Sequence, residues 1–181
     1  AVEAAMVREL ENKVSGILLY PNTRSENHEL YHAVFLSKYP IVYLDRYPGS
    51  IPVSYVVSDN LAGGYELGQY LLSSRHTHFI LLFHDIQKLT SERDRFNGFM
   101  RAMAESGVTK HQIEYFQVPI DTDPNPVVRT ALGHLRDQVS QGRKVAIFTC
   151  NDVLAYRLMS HIQDSLIPDE DAFVAAIVAF A

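Results

Sequence analysis

The chain has 181 residues, 47% hydrophobic and 20% charged, which supplies a sizeable core and excludes a disordered or collagen-like polymer. Its net charge of −5 and pI near 5.9 argue against a chain that grips a nucleic-acid backbone by itself. A single cysteine, Cys150, excludes an internal disulfide and suits a reducing compartment, such as the cytoplasm, although a periplasmic protein can also lack disulfides, and no apolar run reaches the length of a membrane span.

Val2, Met6 and Leu10 recur at helical spacing and predict a helix over 2–12. Residues 14–20 read as a buried strand stopped by Pro21-Asn22. Leu30, Val34 and Phe35 mark one side of a helix near 28–38, and 41–44 is the next strand, delivering Asp45-Arg46. Pro48-Gly49-Ser50 is a turn signal, and a short strand at 54–57 follows with no helix before it. Asp59 or Asn60 can cap a helix over about 61–74, with Leu67, Tyr70 and Leu71 as packing residues. A strongly apolar strand at 78–83 leads to a helix capped by Ser91, running through Phe96, Phe99, Met100 and Met103 to Gly107. The remaining elements are a strand at 113–118, a turn-rich stretch at 121–126, a helix near 127–140, a strand at 145–149, a helix at 151–164 and a strand at 173–178. Helix and strand alternate almost throughout, which predicts an α/β fold with parallel sheets flanked by helices.

In open α/β folds, ligands bind beyond the C-terminal ends of strands. Asp59 sits at such an end, where its carboxylate can accept hydrogen bonds from adjacent hydroxyls of a polyol or can cap the following helix. Arg95 lies early in a helix; its planar fork can donate to sugar oxygens or a carboxylate, or it can form a surface pair with Glu92 or Asp94. At the 145–149 strand end, Asn151 and Asp152 can divide binding and capping between them in either order. Asp45 and Arg46 can face a ligand or pair with each other. Tyr20 can stack on the apolar face of a sugar, although core packing is the simpler reading.

Other chemistry is not signalled. Of the eight histidines, His76 and His78 share a strand face, but no Cys or carboxylate joins them at a zinc spacing, so no metal is expected. Cys150 has no activating His in a motif context. The chain contains no G-x-S-x-G elbow, P-loop or G-x-G-x-x-G, so neither an enzyme nor a cofactor is expected.

Six pieces in order carry a resemblance: 14–21 (VSGILLYP), 40–46 (PIVYLDR), 58–65 (SDNLAGGY), 75–80 (RHTHFI), 95–99 (RFNGF) and 151–155 (NDVLA). Together they resemble the ligand-sensing domain of LacI/GalR-type transcription regulators, over residues 3 to 174. The resemblance implies a two-lobed, type I periplasmic-binding-protein-like fold truncated at both ends, with a partial N-terminal lobe at 1–74 and a partial C-terminal lobe at 75–181. A small effector, expected to be a sugar, would sit in the cleft between lobes. The resemblance favours Arg95 and Asn151 as ligand contacts and Asp152 as structural. The family runs Gly-aromatic-Asp-Asp at a late strand end where this chain reads Val178-Ala179-Phe180-Ala181, so an Asp that often contacts ligand is absent. The partners implied are a homodimer copy and DNA, the latter only through a helix-turn-helix or winged-helix domain outside this chain. A periplasmic sugar-binding protein of a transporter is the alternative on the same fold.

Overall fold

A computed structural model of the chain describes residues 2–11, 13–21, 28–120, 122–164 and 175–178. Among the described residues the helices and strands run α1 (Val2–Leu10), β1 (Ile17–Leu19), α2 (His28–Ser37), β2 (Ile41–Leu44), β3 (Ser54–Val56), α3 (Asn60–Ser73), β4 (His78–Phe83), α4 (Thr90–Glu105), β5 (Ile113–Gln117), α5 (Asn125–Ser140), β6 (Val145–Thr149), α6 (Asp152–Asp164) and β7 (Ala175–Val178), with a short 3-10 turn at Lys110–Gln112 before β5. They build a three-stranded sheet in the order β1-β2-β3 and a four-stranded sheet in the order β5-β4-β6-β7. Every strand pair is parallel. The predicted α/β class, with parallel sheets and intervening helices, is the observed one. Among the described residues no helix is long and apolar enough to cross a membrane.

By their internal contacts the residues fall into two units: Ala1–Asn60 with Ile86–Asp94, and Leu61–Asp85 with Arg95–Ala181. Helix α3 therefore groups with the second unit by its contacts, although it precedes residue 74.

In the first unit, Ile17 and Tyr43 of the sheet meet Val7 of α1 and Leu30, Tyr31 and Val34 of α2, with Ile51 closing the core. Tyr31 and Tyr43 meet edge to face at 5.6 Å. Burial pushes the Tyr43 phenol up to about 12, with Glu3 adding to the shift. The helical stripes differ from the expected ones. On α1, Val7 is buried and Met6 exposed; on α2, Tyr31 is buried and Phe35 exposed. The expected and observed stripes differ by a small rotation of each helix, and the sheet decides which one packs. Strand β1 is also shorter than 14–20, because the Lys13 and Val14 amides still donate to the Leu10 carbonyl at 2.8 and 3.1 Å and extend the end of α1.

In the second unit, β6 is buried along its whole length and β4 from Phe79 onward, as befits strands covered on both faces. Phe79, Phe83, Phe99 and Phe148 pack ring to ring, with Phe83 and Phe148 centroids 4.8 Å apart. Helices α3 and α4 cross in backbone contact at two glycines. A Cβ on Gly64 would lie 2.0 Å from the Arg95 carbonyl oxygen, and one on Gly98 would lie 2.0 Å from that of Leu61. This crossing binds α3 to the second unit. It also gives the Gly64 and Gly98 positions of the sequence motifs a packing role.

Candidate functional site

The first unit holds a cavity of about 260 Å³ beyond the C-terminal ends of β1 and β2. Pro21 follows β1, Arg46 to Ser50 follow β2, and Gln87, Lys88, Thr90 and Arg93 come from the loop and first turn leading into α4. Two hydrogen bonds stitch these segments together: the Tyr47 amide donates to Thr90 Oγ1 at 3.2 Å, and the Thr90 hydroxyl donates to the Tyr47 carbonyl at 3.3 Å. The Tyr47 ring stacks on Tyr55, with centroids 4.0 Å apart and planes 6° from parallel. Burial raises the Tyr47 phenol, with Asp94 and Tyr55 adding to the rise, so its hydroxyl stays protonated at neutral pH.

Arg46 enters this wall already oriented. Its Nε donates to Asp45 Oδ2 at 2.9 Å, its Nη2 donates to the Tyr20 hydroxyl, and its guanidinium carbon lies 4.8 Å from the Tyr20 ring centroid. Asp45 and Arg46 thus pair with each other while Arg46 still lines the cavity. Tyr20 is 58% exposed, which overturns core packing for it. It lies two residues beyond Leu18, itself 72% exposed, and strand alternation aims both to the face that α1 and α2 do not cover. Asp59 is exposed in the same unit, between β3 and α3.

The strand ends of the second unit hold Arg95, Cys150 and Asn151. Arg95 is only 9% exposed and donates from Nη1 to the Cys150 carbonyl at 2.7 Å. A solvated surface pair is therefore excluded for it, and the guanidinium is fixed one residue from Asn151. Asn151 caps α6: its Oδ1 accepts the Leu154 amide at 2.9 Å. Asp152, expected to be the structural partner, is already the first helical residue, and its Oδ1 reaches only the next amide, Val153, at 2.9 Å. Capping thus falls to Asn151, because an N-cap side chain must reach the amide three residues on. Cys150 is fully buried, with its Sγ 3.4 Å from His84 Nδ1. Nothing in their spacing announces this pair, which two neighbouring parallel strands bring together.

Within each unit, then, Arg46 meets Tyr20, and Arg95 comes to the strand end that carries Asn151. The expected motifs passed over Tyr47, Gly49, Lys88 and Arg93 of the cavity wall. The Pro48-Gly49-Ser50 turn was the available signal. A Cβ on Gly49 would stand 3.3 Å from Arg93 Nη1, so glycine leaves room beside that guanidinium. The family Asp position at residues 179–181 lies outside the described residues.

Residues 69–178 match the periplasmic binding protein-like domain family. Over 165 residues the chain is 30% identical to the HTH-type transcriptional regulator DegA of Bacillus subtilis, covering 88% of this chain and 46% of that protein. The chain thus spans about half the length of the curated relatives it matches. Among solved structures, a LacI-family regulatory protein from Chloroflexus aggregans superposes with a TM-score of 0.73 at 21% identity, covering 98% of this chain and 61% of that one. A LacI-family regulator from Enterococcus faecium with bound ribose superposes with a TM-score of 0.71 at 19% identity, covering 97% and 62%. At these identities the structural likeness carries the fold.

Proposed function

The chain belongs to the periplasmic binding protein-like domain family, in the form carried by LacI/GalR-type transcription regulators, and from that premise we propose that it senses a small-molecule effector and passes the signal to DNA. The observation that carries this reading is the polar cavity at the C-terminal ends of β1 and β2, where parallel α/β folds hold ligands. The effector is a sugar or sugar derivative held in the inter-lobe cleft of the family, with Arg46, Tyr20, Asp59, Arg95 and Asn151 among its contacts. The ribose in one structural relative supports that chemical class. DNA is read by a helix-turn-helix or winged-helix domain outside this chain, in a cytoplasmic homodimer.

Regulation requires the effector to prefer one lobe arrangement over another. The exposed apolar side chains Met6 on α1 and Phe35 and Leu36 on α2 are the proposed dimer contacts. Thermal-shift screening of the full-length protein against a carbohydrate panel tests the reading. An effector at a hundred times its Kd stabilises the folded state by about 2.7 kcal/mol. A full-length protein whose melting and operator affinity ignore every small molecule in the panel overturns the proposal. Sedimentation tests the dimer, which a monomer at micromolar concentration contradicts.

A further inference from the structure

We propose that the first unit carries a second ligand site, at the opposite end of its sheet from the effector cavity, for a small aromatic carboxylate. A cavity of about 270 Å³ opens between the last turn of α2 and the N-terminal ends of β2 and β3. Val34 and Phe35 of α2 form one wall, Tyr43 of β2 another, and Pro40 and Pro52 flank the strand starts. Among the residues that line it, Lys38 alone is charged. Its ammonium makes no hydrogen bond or ion pair among the described residues. The usual duty of a lysine at a helix C-terminus is to bond the last carbonyls. Here other groups fill it: the Ser37 hydroxyl donates to the Val34 carbonyl at 2.8 Å, and the Lys38 amide donates to the Phe35 carbonyl at 3.2 Å. Lys38 also holds φ at 57°, in the left-handed region that favours glycine. The backbone there would be served better by glycine, so the side chain needs a use beyond the fold.

The lining sets the chemistry of the occupant. Proline supplies no amide donor, the Pro40 carbonyl already accepts the Ile17 amide at 2.9 Å, and the Tyr39 hydroxyl donates to the Val14 carbonyl at 2.6 Å. Side-chain polarity is left to Lys38 and the Ser54 hydroxyl. A polyol would leave most of its hydroxyls unpaired against such walls, and burying unpaired hydroxyls is unfavourable. A ring that carries one carboxylate matches them. The apolar and aromatic walls bury its flat body, and the lysine pairs with its anion. An amine finds no acidic side chain in the lining and meets a like charge instead. The volume of about 270 Å³ suits one ring with a short acid side chain.

The test titrates the full-length protein with phenylacetate, phenylacetamide and acetate by calorimetry, at one fixed protein concentration because Phe35 is also a proposed dimer contact. Phenylacetate is expected to bind saturably, about ten-fold or more tightly than the neutral amide or the ringless acid, with an affinity that falls as salt rises. Lys38→Gln is expected to weaken phenylacetate about ten-fold and to leave phenylacetamide unchanged. Lys38→Gly should weaken phenylacetate equally while raising the melting midpoint without ligand, because glycine adopts the left-handed backbone without strain. Arg93→Gln, in the cavity at the other end of the sheet, should leave phenylacetate unchanged. Lys38 is exposed, so its variants should fold. No saturable binding of phenylacetate, equal affinity for its amide, or insensitivity to Lys38→Gln overturns the inference, as does an equal weakening by Arg93→Gln. A lower melting midpoint in Lys38→Gly also overturns it, since the lysine would then serve the fold. The effector reading stands or falls apart from these outcomes, because its sugar should raise the melting midpoint equally in the wild type and in Lys38→Gln.

Discussion

Arg95 carries two loads at once. Its buried guanidinium donates to the Cys150 carbonyl at 2.7 Å, and its own carbonyl lies against Gly64. Arg95→Ala is therefore expected to lower stability by about 1–3 kcal/mol as well as abolish the effector response, because a buried acceptor loses its charged donor. Paired chemical denaturation and effector titration separate these losses; unchanged stability would show that the Cys150 contact contributes nothing. His76 gives a pH prediction. It is buried, its Nδ1 lies 3.1 Å from the Leu71 carbonyl, and its Nε2 has no hydrogen-bond partner among the described residues. Burial pulls its pKa below the ordinary 6.5, with Lys144 adding to the fall. Above the unfolded value the imidazole is neutral in both states and its contribution is fully present; as pH drops toward the folded pKa, only the unfolded chain takes up the proton and stability is lost. The melting midpoint should fall below about pH 6.5, and more shallowly in His76→Gln. The sequence motifs located Arg95 because its spacing to Gly98-Phe99 is a local pattern. The cap of α6 falls to Asn151 rather than to the expected Asp152, because a cap depends on where the first helical turn begins, which composition leaves open.

Among the elements, the strands at 41–44, 78–83 and 145–149 lie where their apolar runs predict, since a strand buried on both faces leaves an uninterrupted signature. Helix faces were harder to read. The α1 pattern permits a stripe through Met6 or through Val7, both sharing Leu10, and only the rotation of the helix against the sheet chooses Val7. The glycines of the second unit were legible as motif but not as mechanism. At the α3–α4 crossing, Gly98→Ala would bring a methyl 2.0 Å from the Leu61 carbonyl oxygen and 2.8 Å from the Tyr65 amide nitrogen, so the helices must separate. We expect a loss of about 3 kcal/mol from such overpacking against rigid backbone, and a weaker effector response because Arg95 lies on the displaced turn. Gly133→Ala is the control: a Cβ there meets nothing within 4 Å, and alanine favours the helix by about 1 kcal/mol. Equal melting midpoints for the two variants would refute the crossing as a constraint.

At the scale of the molecule, the first unit presents a contradiction between its sheet and its surface. Parallel sheets are buried on both faces, yet α1 and α2 cover only the side that carries Ile17 and Tyr43. The strand register puts Leu18 beside Val42 and Leu44 beside Val56 on the opposite side, where Leu18 is 72% and Val56 63% exposed. Such an apolar face in water is an association surface or an internal one. The chain covers about half the length of its curated relatives, so we expect further residues of the longer protein to cover this face. Leu18→Lys tests it through a difference between two proteins. In the longer protein the substitution should cost about 2 kcal/mol or more, the worth of burying a leucine, plus the penalty of a buried charge. In the 181-residue chain it should leave the melting midpoint nearly unchanged and reduce self-association at high concentration. A longer protein that tolerates Leu18→Lys as readily as the short chain does would mean that this face stays open to solvent, and that the exposed leucine serves a partner outside the polypeptide.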